Sequence, residues 1–276
     1  MPPINPIIFN SEEAIDFVFI AEWYASADIP QFNTHVQTLI DWLLLREPFG
    51  KYQHLINFYS VPTVSVDSGI SRLWWFPNGL TAIVKDTYWK VHSNHNGTER
   101  LAYMDQNQYD NVLKPFIRTN FKKKTLVLVI CNDPMYAGGW QYTTHRDFCS
   151  IGLQTLATAS WLFVPLFIHE LWHSFCNLAD EYIDAAYLAS NPWKPYHYAR
   201  ISWNVSTSTV NDRRRDHLYT TPQYILWSVY DATQNYRADS TNIMRSLSTN
   251  MSSPNSKFNT IQQSDIRREI IQRISY

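Results

Sequence analysis

Apolar positions recur along the chain with two different periods, and the switches between them mark out its elements. Residues Ile15 to Ile20 form a short apolar run in which Asp16 is the only charge, which reads as a buried strand. Phe32, Val36, Leu39, Ile40, Leu43 and Leu44 then recur at i, i+4, i+7, i+8, i+11 and i+12, the stripe of an amphipathic helix that stops at Glu47 before Pro48 and Gly50. Leu55 to Val61 alternates loosely as a second strand. Thr81 to Val91 carries the β-branched and aromatic residues of a third, and Ser93 to Glu99 reads as a turn. Tyr109, Val112, Phe116 and Ile117 predict a helix ending near Asn120, shortened or kinked by Pro115. Thr125 to Cys131, TLVLVIC, is an unbroken apolar run after Lys122, Lys123 and Lys124, as expected of a central strand covered on both faces. This order of strand, helix, strand, helix, strand predicts a three-layer α/β fold around a mixed, partly parallel sheet.

Beyond it, Thr158 to Tyr182 predicts a long apolar helix, with Ser160 as its cap and Pro165 in its first turn. From Tyr187 to Ser256 the chain turns irregular, rich in Asn, Ser, Thr and Pro, with Tyr224 to Tyr230 as its clearest apolar island. Ile266, Ile270, Ile271 and Ile274 close it as an amphipathic helix. One domain over residues 1–276 is expected, an α/β half at 1–182 and an irregular half at 183–276.

Composition narrows the function. Hydrophobic residues at 45% and charged residues at only 17% exclude a disordered chain. A formal net charge of −1 leaves no domain-scale basic surface, so neither nucleic acid nor an anionic membrane is an expected partner. Every long apolar stretch is interrupted well before about 18 residues, so no membrane-spanning helix is expected. Cys131, Cys149 and Cys176 show no CxxC spacing, which excludes a cysteine zinc knuckle and leaves room for one disulfide. The first residues carry neither a basic stretch nor an apolar run of signal-peptide length, so no signal peptide is expected.

The candidate chemistry lies on the long helix. His169-Glu170-Leu171-Trp172-His173 is HExxH. Four residues of helix turn about 400° and rise about 6 Å, so both imidazoles project from one face and can converge on one metal ion. Glu170, about 100° round from His169, can reach a metal-bound water as general base without displacing a ligand. Two imidazoles plus a carboxylate suit a single catalytic Zn2+. Asp180 and Glu181 are the nearby carboxylates, but Asp180 stands seven residues after His173, about 10 Å further along a straight helix. Either serves only if the helix ends near Cys176 or Asn177, and Asn177 tolerates the left-handed conformation of such an end.

At HELWHSFCNLADEY the chain resembles the IgA-peptidase-type zinc metallopeptidases, the igalysins of the metzincin clan, whose pattern is HExxH, then a Ser, a Leu and Asp-Glu-Tyr. The likeness runs upstream through Ala21-Glu22-Trp23-Tyr24, Glu47-Pro48-Phe49, Asn57-Phe58 and Ser65-Val66-Asp67-Ser68-Gly69. The segment ICNDPMYAGGW is similar to the family's Asn-Asp-x-x-Tyr-Gly-Gly element with Ala137 added, and Asn242-Ile243-Met244-Arg245-Ser246 is similar to its Met-turn. The departures are Cys176 and Asn177 where glycine is usual, and Trp23 in place of the glycine of Glu-Gly-Tyr.

The resemblance implies a metzincin-like zinc peptidase domain in which Met244 lies beneath the metal-bound histidines. It implies that Gly138 and Gly139 belong to an edge strand that binds substrate as an added strand. Metzincins generally place the third ligand six residues past the second histidine, here Ala179, which cannot bind metal. Clan members that use aspartate favour Asp180, with Glu181 as the alternative. The expected activity is hydrolysis of polypeptide, with Glu170 as general base. A catalytically inactive zinc-binding module and a zinc hydrolase of non-peptide amides are the rival expectations. The family's habit implies an extracellular protein.

Overall fold

A computed structural model describes residues 2–69, 71–76, 79–93, 102–121, 125–133, 138–141, 151–156, 205–206, 225–228 and 232–237. It also describes the helical residues Phe163, Val164, Phe167, Glu170, Leu171 and Phe175, and Ile266, Arg267, Ile270 and Ile271.

The first strands are β1 (Asn5–Ile8), β2 (Ile15–Glu22) and β3 (Ile56–Val61), with helix α1 (Ile29–Leu44) and the short α2 (Phe49–Tyr52) between the last two. Three further strands, β8 (Leu126–Asn132), β9 (Gly138–Gln141) and β10 (Ile151–Leu156), complete a six-stranded sheet ordered β1-β3-β2-β8-β10-β9. Strands β3, β2, β8 and β10 are parallel, and β1 and β9 run antiparallel at the two edges. The predicted strands at 15–20, 55–61 and 125–131 and the helix on the Phe32 stripe are therefore present. Every residue of β2 is buried, as a strand covered on both faces must be.

Alternation along β2 and β8 sorts side chains to the two faces. Phe17, Phe19, Leu126, Leu128 and Ile130 share a core with Phe32, Val36 and Leu39 of α1 and with Phe167, Leu171, Phe175, Ile266 and Ile270. The C-terminal helix thus joins the core of the N-terminal half. Its Ile271, expected on the same stripe, is 52% exposed, and among the described residues Ile266 and Ile270 carry the stripe that packs. On the opposite face Val18, Ile20, Val127, Val129 and Cys131 pack with Trp89, Val91, Met104, Tyr109, Phe116 and Ile117. Asp16, buried in β2, accepts a hydrogen bond from Asn57 Nδ2 at 2.9 Å, which offsets part of the cost of burying a carboxylate. In the turn into α2, a Cβ on Gly50 would lie 2.6 Å from the Leu44 carbonyl oxygen, so only glycine fits.

A second sheet is ordered β5-β4-β6-β7 from β4 (Ser71–Phe76), β5 (Gly79–Ile83), β6 (Val91–Ser93) and β7 (Tyr103–Met104). The strand expected over Thr81 to Val91 is therefore two strands with a loop between. The loop's backbone is committed elsewhere: Asp86 N–H donates to Asp67 at 2.8 Å, Lys85 N–H to Ser71 Oγ at 3.0 Å, and Lys90 has φ +57°. None of this is compatible with a sheet ladder. The helix expected to end near Asn120 does so, but in three pieces: α3 (Gln106–Gln108), a π-helical turn (Tyr109–Leu113) and α4 (Lys114–Asn120). Pro115 enters the first turn of α4, where its missing N–H is harmless, and the wider turn precedes it.

The stretch read as irregular after Tyr187 contains an antiparallel sheet ordered β11-β13-β12, made of β11 (Val205–Ser206), β12 (Ile225–Ser228) and β13 (Ala232–Arg237). The apolar island supplies β12. Strand β13, ATQNYR, has no strand-like pattern and is set by its two neighbours. Among the described residues no helix is long and apolar enough to cross a membrane, and Cys131 is a buried free thiol. Cys149, Cys176, the lysines at 122–124 and most of the turn expected at 93–99 lie outside the described residues.

Candidate functional site

In an open α/β sheet ligands ordinarily enter at the carboxyl ends of the strands where the winding reverses, here between β2 and β8. There, among the described residues, the segment 63–69 is hydrogen-bonded across the end of β2. Thr63 Oγ1 donates to the Ala21 carbonyl, Ser65 N–H to Tyr24 O at 2.8 Å, and Ser68 Oγ and Gly69 N–H to Trp23 O at 3.1 and 3.3 Å. Asn132 Nδ2 reaches Ser68 Oγ at 3.4 Å, and Arg72 pairs with the buried Asp133 at 3.6 Å.

Trp23 makes this arrangement possible. It sits at φ +66° although it is neither glycine nor asparagine, a conformation costing roughly 1–2 kcal/mol. This is the residue that stands where the resembled motif has glycine. Its indole is fully buried, and Nε1 donates to Val91 O at 3.2 Å. Loss of a buried aromatic costs about 3–5 kcal/mol, more than the strain released. Trp23→Gly is therefore expected to lower the unfolding free energy by about 1–4 kcal/mol in urea titrations. Unchanged or increased stability would show that strain, not burial, governs this position.

The neighbouring Glu22 is wholly buried at the end of β2, and its carboxylate accepts from the Trp89 and Val91 amides at 2.9 and 3.0 Å. The left-handed Lys90 between them aims both N–H groups at one anion. Burial raises the Glu22 pKa from 4.5 to about 7, although the two amides and the Lys90 charge pull it down. A carboxyl whose folded pKa is raised contributes stability that is full below its unfolded pKa and is lost as pH rises through the folded one. Glu22→Gln removes that dependence, so the wild type should lose about 2–3 kcal/mol relative to the variant between pH 5 and pH 8. Urea unfolding at both pH values measures it, and a pH-independent difference would refute the assignment.

The described candidate residues of the sequence lie on the helix through Phe163 and Phe175 and on edge strand β9. Phe167 stacks on Phe19 at 6.0 Å, and Phe175 meets Phe17 at 5.5 Å and Phe49 at 6.0 Å. The rings at 167 and 175 meet β2 at 19 and 17, so helix and strand run in opposite directions. Glu170 is helical and 8% exposed. Gly138 and Gly139 lie in β9, paired with Gln154 and Leu153 of β10, and among the described residues no strand lies on the other side of β9 in that sheet. His169, His173, Asp180, Glu181 and Met244 lie outside the described residues. Among the described residues no three His, Cys, Asp or Glu side chains are grouped to hold a metal.

The model of the family described as IgA Peptidase M64 matches residues 9–202, well over half of the 276 residues. The chain belongs to the IgA Peptidase M64 family. The M64 match takes in β2, residues 63–69, β9 and the whole of the segment HELWHSFCNLADEY. It stops before Met244. Membership makes the chain a hydrolase of the peptidase class and polypeptide its class of substrate. No curated protein matches the chain. Sequence reading missed the left-handed Trp23 and the paired donors to Glu22, and the one available signal was a tryptophan where the resembled motif has glycine.

Proposed function

We propose that this M64 peptidase is a zinc-dependent endopeptidase with a metzincin-like catalytic domain, in which His169, His173 and Asp180 hold one metal ion and Glu170 is the general base. The observation that carries the reading is the phase of the helix. Phe163, Val164, Phe167, Leu171 and Phe175 all belong to or pack on one core. A helix continued at about 100° per residue puts positions 169 and 173 at roughly 200° and 240° from Phe167, on the side away from that core and 40° from each other. Glu170 falls at roughly 300°, next to Phe163 at the edge of the core face, in keeping with its burial. Two imidazoles and a carboxylate are a donor set that fits zinc. When bound, the ion would polarise the scissile carbonyl and make water a better nucleophile near neutral pH.

The chain's own part is to place the groups around it. Glu170 takes the proton of the attacking water and passes it to the departing amine. The outer edge of β9 accepts the extended substrate as an added strand, and Gly138 and Gly139 let it approach closely. Met244 supports the histidines from below as the residue of a Met-turn. Incubation of the purified chain with a proteome-derived peptide library, with and without a chelator, tests the whole reading. Cleavage abolished by the chelator and restored by zinc is the expected result. Zinc retained without peptide cleavage would leave a binding module, and turnover of acylated small amines alone would leave a non-peptide amidase.

A further inference from the structure

The helix of Glu170 is fastened to the rest of the fold at successive heights, and the fastenings differ in kind. At Phe167 and Phe175 they are rings of β2, Phe19 and Phe17, within the apolar core. One turn earlier, Phe163 packs on the edge of the same core and also meets the imidazole of His35 on α1, edge to face at 5.5 Å. His35 Nδ1 is in turn 3.0 Å from the hydroxyl of Tyr24. Tyr24 is fully buried, follows the left-handed Trp23 and sets its ring against Phe32 at 5.2 Å. Burial lowers the His35 pKa and raises that of Tyr24. At neutral pH the imidazole is therefore uncharged and the phenol protonated, and the two share one hydrogen bond whose direction is set by the imidazole tautomer.

An apolar ring in a core contact can rock about its bonds, whereas this hydrogen bond fixes the imidazole plane and with it the seat of Phe163. We propose that His35, oriented by Tyr24, is a positioning residue that sets the N-terminal height of the helix and so the placement of Glu170 two turns on. The consequence for turnover rests on the metallopeptidase reading; the structural coupling does not.

Hydrogen exchange on the full chain, together with steady-state cleavage of a peptide pool, separates the two. Tyr24→Phe removes the hydrogen bond but keeps the ring. His35→Asn keeps a hydrogen-bonding group near Nδ1 but removes the ring that Phe163 touches. Either variant should raise exchange across residues 163–171 by about fivefold, the scale of one net hydrogen bond, with no rise across residues 126–132 of β8. In both, kcat should fall about three- to tenfold with KM within about twofold. Joining Tyr24→Phe to His35→Phe should restore part of the protection lost in His35→Phe alone, because the hydroxyl left without its partner is then gone. Unchanged exchange at 163–171 in both single variants would overturn the proposal, as would an equal rise at 126–132, which would mean global stability alone. Selective loosening in a chain that cleaves no peptide would uphold the positioning and reject the metallopeptidase reading.

Discussion

Asp180→Ala is expected to be purified without zinc and to be inactive, whereas Glu181→Ala keeps its metal and loses activity only in part. The two carboxylates are adjacent, but a ligand and a supporting group fail differently. Removing one of three protein ligands leaves two imidazoles, too few to hold stoichiometric metal at micromolar concentration. Losing a group outside the ligand set typically costs about 10- to 100-fold in affinity or activity. Metal analysis of the purified variants decides between them. Zinc retained in Asp180→Ala and lost in Glu181→Ala would move the ligand one residue along the chain.

Glu170→Gln should retain one zinc per chain and lower turnover by at least about a hundredfold, the usual scale for loss of a general base. The amide is nearly isosteric, so the helix of Phe167, Leu171 and Phe175 keeps its seat on β2. What is lost is the capacity to take a proton. A well-folded, zinc-loaded variant of near-normal activity would end the role assigned to Glu170, because no packing change could then be blamed.

Much of this protein is written in local pattern. The apolar run of β2 reads as a buried strand and the unbroken run of β8 as a central one covered on both faces, and neither reading needs tertiary knowledge. The Phe32 to Leu43 stripe likewise names the face that α1 buries. The spacing of His169, Glu170 and His173 is read in the same local way, and the family match over residues 9–202 includes it. Other features depend on partners far along the chain. Residues 84–90 look like strand but are drawn out of the ladder by Asp67, Ser71 and Glu22, which no window of sequence around them contains. Strand β13 is polar and becomes a strand only between β11 and β12. Trp23 accepts a left-handed backbone because distant groups at Ser68, Gly69 and Val91 satisfy its carbonyl and its indole. His35 was simply a helix residue outside the apolar stripe until Tyr24 and Phe163 met it from two other elements. Hydrophobic period is a property of neighbours in the chain, and so the sequence alone determined which segments are buried. Hydrogen bonds and ring contacts between segments are decided by distance in space, and those only the tertiary structure settled.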